Sequence, residues 1–166
     1  MCKCFRKKMY FCHQISETMK EPSFCKLDAK TVQLPVFTDN RGNLAFLEGG
    51  RQIPFEVKRV FWIYDVPTDK TRGGHAHWTC HEAVFAVKGA FDILLSNGTE
   101  EKMFHIDSPH IGILIPAGVW CELRNFAEGT VCVVMASHPY SAEGYVNDFD
   151  TYKAEMGRRS AVCCTE

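Results

Sequence analysis

Between His75 and Glu82 the chain reads "HAHWTCHE", placing three histidines, a cysteine and a glutamate within eight residues. His75 and His77 are two apart, so on an extended strand both imidazoles project from one face into one cavity. The four residues "WTCH" separate His77 from Glu82. If they turn the chain, Glu82 opens the next strand and faces the same interior. Further on, "PAGVWCELRN" sets a turn at Pro116 and Gly118 ahead of Cys121 and Asn125. Two chemistries suit these residue types. An imidazole titrates near neutrality and can move a proton to and from carbon. Two imidazoles, a carboxylate and a thiolate (His75, His77, Glu82 and Cys121) are also a sensible donor set for zinc or iron(II). His81, His105, His110 and His138 have no patterned partner and are expected to be surface or structural residues.

Strands must position these groups, and from Lys30 onward the chain reads as strands punctuated by turns. "TVQLPVF" is β-rich, "TDNRGN" is a turn, and "LAFLE" follows before a Gly-Gly break. "VKRVFWIYDV" is a long β-branched and aromatic run ended by Pro67. "EAVFAVKG" and "AFDILLSNG" are divided at Gly89, and Asn97-Gly98 is a hairpin signal. "HIGILIP", "CELRNF" and "TVCVVMAS" complete the strands. "VNDFDTYKAEM" is the one convincingly helical segment. Many short strands at regular turn spacing predict an all-β sandwich or barrel, with a jelly roll foremost.

The bulk numbers agree with one soluble globular domain. The chain has 166 residues, 46% hydrophobic and 23% charged, with a net charge of −1. No global field would draw nucleic acid or an anionic membrane, and no stretch is long enough to span a bilayer. Nine cysteines is an odd count, and the basic start "MCKCFRKKMYFCH" has no apolar run of secretory length. Free thiols in a reduced, cytoplasmic protein are expected. Cys2 and Cys4, and the adjacent Cys163 and Cys164, do not have the spacing of a structural zinc site. Residues 1–28 form an N-terminal extension in this reading, 29–152 the folded domain and 153–166 a tail.

The pattern H-x-H, four residues, Glu, six residues, Gly, with P-x-G-x-x-Cys-x-x-x-Asn later, resembles the two motifs of the cupin superfamily. Cys121 stands where metal-binding cupins place their third histidine. A narrower resemblance covers most of residues 30–152. The blocks "DNRGNLAFLE", "IPFEVKRVFWIYDV", "RGGHAH", "DSPHIGILIPAGVW" and "ASHPYSAEGYVNDFDTY" together resemble the dTDP-sugar 3,4-ketoisomerases, the WxcM-like branch of the cupins.

That resemblance implies a cupin-type jelly roll with a short C-terminal helix, assembled as a homodimer and working without a cofactor. The implied substrate is a dTDP-linked keto sugar, dTDP-4-keto-6-deoxyglucose, converted to a 3-keto isomer through an enediol. His75 and His77 become the acid/base pair. Arg41, Arg59 and Arg72 become ligands of the nucleotide diphosphate, by bidentate contacts. Cys121 occupies a substrate-binding position linked to product stereochemistry, where the family has histidine or arginine. Phe61 stands near the place of an expected active-site tyrosine, for which Tyr64 or Tyr140 are the substitutes, and Glu82 replaces a usual glutamine. Trp62, Trp78 and Trp120 are candidates for stacking on thymine or sugar, or for the core. The alternatives are a metal-dependent cupin using His75, His77, Glu82 and Cys121, and a sugar-nucleotide-binding domain without catalysis.

Overall fold

The computed structural model describes residues 26–163. Their strands are β1 (Lys30–Gln33), β2 (Val36–Asp39), β3 (Gly42–Ala45), β4 (Arg59–Tyr64), β5 (Arg72–His77) and β6 (Glu82–Lys88). β7 (Phe91–Ser96), β8 (Glu101–Ile106), β9 (Ile111–Ile115), β10 (Trp120–Arg124), β11 (Val131–Ala136) and β12 (Tyr145–Val146) follow, and α1 (Phe149–Cys163) ends the described chain. Two five-stranded sheets, ordered β1-β9-β6-β11-β4 and β12-β5-β10-β7-β8, face each other, with β2 and β3 forming a separate hairpin. Every pairing between strands is antiparallel. This is the expected all-β jelly roll with a C-terminal helix.

The core lies between the sheets because alternate residues of each strand point inward. Val84, Ala86, Cys132 and Val134 of one sheet meet Phe91, Ile93, Leu95 and Leu123 of the other. Leu27 joins this core, ahead of the boundary expected at residue 29. A second cluster (Leu34, Ile53, Phe55, Phe85 and Leu114 among it) covers the outer face of the first sheet. Helix α1 covers the outer face of the second, where Tyr152 and Met156 pack on Ala76 and Trp120. The fully buried Tyr152 hydroxyl lies 2.7 Å from the Ser96 carbonyl and 2.8 Å from the Gly118 carbonyl, and it accepts the Trp120 N–H at 3.2 Å. That one phenol ties the helix to the end of β7 and to the turn that leads into β10.

Several boundaries differ from the sequence reading. "TVQLPVF" is two strands, because Pro35 lacks an N–H for the ladder. The helix starts at Phe149 rather than Val146, since Val146 pairs with Ala76 in β12 and Asp148 accepts the Thr151 N–H at 2.8 Å as a cap. It continues past residue 152, where the folded domain was expected to end, to Cys163. Most of the 1–28 extension, including Cys2 and Cys4, lies outside the described residues, as does Cys164. No described helix is long and apolar enough to cross a membrane.

Candidate active site

Two rows of side chains meet at one end of the sandwich. On β5, His75 lies opposite Cys121 of β10, which lies opposite Leu95 of β7. His77 lies opposite Tyr145 of β12. Residues paired in this way share a face, and here it is the inner one. On the opposing sheet, Glu82, Ala136 and Arg59 form a row across β6, β11 and β4. Ala136 is small and buried, which leaves room for Arg59 to reach past it to Glu82.

The alignment of β5 depends on Gly73 and Gly74. The ladder with β10 shifts between Cys121 and Glu122, so that Cys121 faces His75 while Glu122 faces Gly73. Gly74 is the extra residue of a bulge. Both glycines have positive φ, and a Cβ on Gly73 would stand 2.7 Å from the Cys121 carbonyl oxygen. Only glycine fits there without displacing β10.

The site groups are close and mostly buried. The His75 and His77 rings are 4.9 Å apart, edge to face. His77 Nε2 is 3.4 Å from Glu82 Oε1, and Arg59 Nη2 is 3.6 Å from the same oxygen. These are charge-pair distances without hydrogen-bond alignment. His77 Nε2, Glu82 Oε1 and Arg59 Nε are buried with no hydrogen-bond partner in the protein. Buried polar atoms are normally paired, so three together mark a place for polar atoms of a ligand. Burial holds the His75 imidazole below its ordinary pKa, reinforced by His77 and opposed by Glu82 and by a hydrogen bond with the Gly73 backbone. His75 is therefore a free base at neutral pH. Burial also pushes the Cys121 thiol well up, helped by the Glu82 carboxylate, so Cys121 is a neutral thiol rather than a thiolate.

The other expected residues separate clearly. Of the arginines, only Arg59 joins the histidines. Arg41 lies in the exposed turn between β2 and β3, bonded to Asp39 at 2.6 Å. Arg72 is exposed at the start of β5, opposite Leu123. Phe61 faces inward beneath the Arg59 guanidinium, 5.1 Å from it. Tyr64 cannot replace the expected tyrosine, because it points to the outer face of β4 with Val60 and Trp62. Tyr140 is near, its ring 5.8 Å from the Arg59 guanidinium, but largely exposed.

No tryptophan lines the site: Trp62 points outward, while Trp78 and Trp120 pack against Tyr152 of α1. His81 is structural, accepting the Ala117 N–H at 3.0 Å. His105, His110 and His138 bond to Asp92, Ser108 and Ser137.

The metal alternative finds no support in this geometry. Among the described residues no three His, Cys, Asp or Glu side chains are arranged to hold an ion. Glu82 lies within charge-pair distance of Arg59 and His77. Sequence reasoning missed Tyr145. Its ring lies 4.1 Å from that of His77 and 4.9 Å from that of His75. A two-residue strand has no periodicity to reveal it.

Comparison with known proteins gives this geometry a family. Residues 27–157 match the family model described as FdtA: WxcM-like, C-terminal. The TDP-4-oxo-6-deoxy-alpha-D-glucose-3,4-oxoisomerase of Aneurinibacillus thermoaerophilus is 30% identical over 132 residues, covering 80% of this chain and 95% of that protein. A 3,4-ketoisomerase from Helicobacter canadensis superposes with a TM-score of 0.78 at 35% identity, over 80% of this chain and 99% of that one. QdtA, a sugar 3,4-ketoisomerase from Thermoanaerobacterium thermosaccharolyticum solved with TDP, gives 0.77 at 34% identity, over 80% and 96%. With the motifs, the jelly roll and these relatives in agreement, the chain belongs to the WxcM-like family of dTDP-sugar 3,4-ketoisomerases.

Proposed function

We propose that the protein converts dTDP-4-keto-6-deoxyglucose to a 3-keto isomer by histidine acid/base catalysis. The observation that carries this reading is the adjacent pair His75 and His77 facing a buried Arg59–Glu82 pair. Moving a ketone from carbon 4 to carbon 3 requires removing the proton on carbon 3, shifting the hydroxyl proton from the oxygen on carbon 3 to the oxygen on carbon 4 in the enediolate, and placing a proton on carbon 4. His75, a free base at neutral pH, accepts the first proton. His77, 3.4 Å from the Glu82 carboxylate, returns a proton to carbon 4. Arg59 faces the developing negative charge on the oxygens. Cys121, next to His75, bounds the sugar as a neutral, weakly polar wall. Arg41 and Arg72 remain proposed diphosphate contacts.

Proton NMR in deuterated water tests the reaction. A 3-keto product carrying deuterium at carbon 4 is expected. Unchanged dTDP-4-keto-6-deoxyglucose would sink the proposal.

A second copy of the chain is the proposed partner. Val60, Trp62 and Tyr64 project from the outer face of the edge strand β4, with Trp62 60% and Tyr64 62% exposed, and Phe37 and Leu44 are exposed on the β2–β3 hairpin. So much exposed apolar surface on edge elements suits burial against another chain. Light scattering should give twice the mass of one chain; a single-chain mass at micromolar concentration would exclude the dimer.

A further inference from the structure

We infer that Tyr145 is a catalytic hydroxyl of this site, donating a hydrogen bond to the oxygen that becomes negative in the enediolate. The inference rests on the isomerase reading and adds to it a residue and a role. The phenol lies on the same inner face as the histidines, because Tyr145 pairs with His77 in the ladder between β12 and β5. Its ring contacts both imidazoles edge-on, which places it beside the histidine pair. Its hydroxyl accepts a hydrogen bond from Arg59 Nη1 at 3.4 Å. A phenol that accepts from a guanidinium is polarised and becomes a better donor through its own proton. Such a donor, fixed before reaction and aimed where charge develops, stabilises the transition state without any proton changing hands.

The surrounding structure holds this hydroxyl in place. Immediately before Tyr145, the turn Ala142–Gly144 accepts the Trp78 N–H through the Gly144 carbonyl at 3.4 Å. Immediately after it, Val146 packs with Phe149 and Tyr152 on the opposite face of the sheet. A group fixed from both sides is pre-organised, as a transition-state donor must be. The neighbouring inward position on β4 offers no competitor, since Phe61 has no hydroxyl. Tyr140 meets Tyr145 at 5.7 Å with its ring tilted, but lies too far into solvent to play the same part.

Tyr145→Phe removes the hydroxyl and keeps the ring. With dTDP-4-keto-6-deoxyglucose, kcat is expected to fall about 100-fold. KM, and the affinity for TDP measured by calorimetry, should stay within about threefold, because the donor acts chiefly on the transition state. An active wild type together with a Tyr145→Phe variant of unchanged kcat would overturn this inference alone. A wild type that leaves the sugar unchanged would overturn the isomerase reading and this inference together. A fall in TDP affinity that matches the fall in turnover would assign Tyr145 to binding and also overturn the catalytic role.

Discussion

His75→Asn should leave a folded protein that binds TDP and turns over the keto sugar about 1000-fold more slowly. In free energy this is ~4 kcal/mol of lost transition-state stabilisation. Asparagine is smaller than histidine and keeps a polar group in a half-buried position, so the jelly roll should tolerate it. It cannot accept a proton near neutral pH, so abstraction from carbon 3 loses its base. Wild-type turnover in this variant would remove His75 from the mechanism.

The pH profile offers an independent check. Burial lowers the His75 pKa from its ordinary value of 6.5, so the reactive free base predominates at pH 7. In the wild type the acid limb of kcat/KM should therefore have its midpoint below 6.5, where the imidazole protonates. That acid limb should vanish or move in His75→Asn. Stability follows the same sign. Both His75 and His81 are held below 6.5 in the folded state, so the unfolded chain binds more protons and stability falls as pH drops through that value. Recovery of activity on return to neutral pH separates titration of the base from unfolding.

The second large effect is expected at Glu82. Glu82→Leu should cost about 3–5 kcal/mol of stability in urea unfolding, because it leaves the buried Arg59 guanidinium without its counter-charge. Glu82→Gln should cost less, since an amide keeps the shape and turns a carbonyl dipole toward Arg59. The leucine variant should also displace the acid limb of the rate profile to lower pH, since the Glu82 carboxylate raises the His75 pKa. Turnover should fall as His77 loses the neighbour that orients it. Wild-type stability in both variants would show that the Arg59–Glu82 pair contributes no net free energy.

Much of this was legible in the sequence, and the exceptions share a physical cause. Inward and outward alternation in "RVFWIY" and the His75–His77 spacing report on a single strand, where a period of two is enough. The hairpin at Asn97-Gly98 was readable from its turn, yet its return strand β8 was not identified, because "EKMFHI" carries charge on a half-exposed strand. The side of the sheet that becomes the interior depends on both sheets, so Tyr64 and the three tryptophans could not be sorted in advance. Arg59 and Glu82 come from strands separated by β11, and only the folded sheet shows that Ala136 lets them meet. Tyr145 depends on a two-residue strand held by the helix behind it. Groups brought together by non-local packing leave no local signature.

Gly74 also has an effect on Arg72. In a regular strand, residues three apart face opposite sides, so Arg72 and His75 would point away from each other. The inserted residue advances the alternation by one step, and Arg72 lies opposite Leu123 just as His75 lies opposite Cys121. An odd separation along the chain has become an even one across the sheet. The cation and the base thus share a face, with the arginine at the exposed end of the strand and the imidazole at the enclosed end. That is the polarity of a sugar nucleotide, whose charged diphosphate is solvated and whose reacting carbons must be shielded from water.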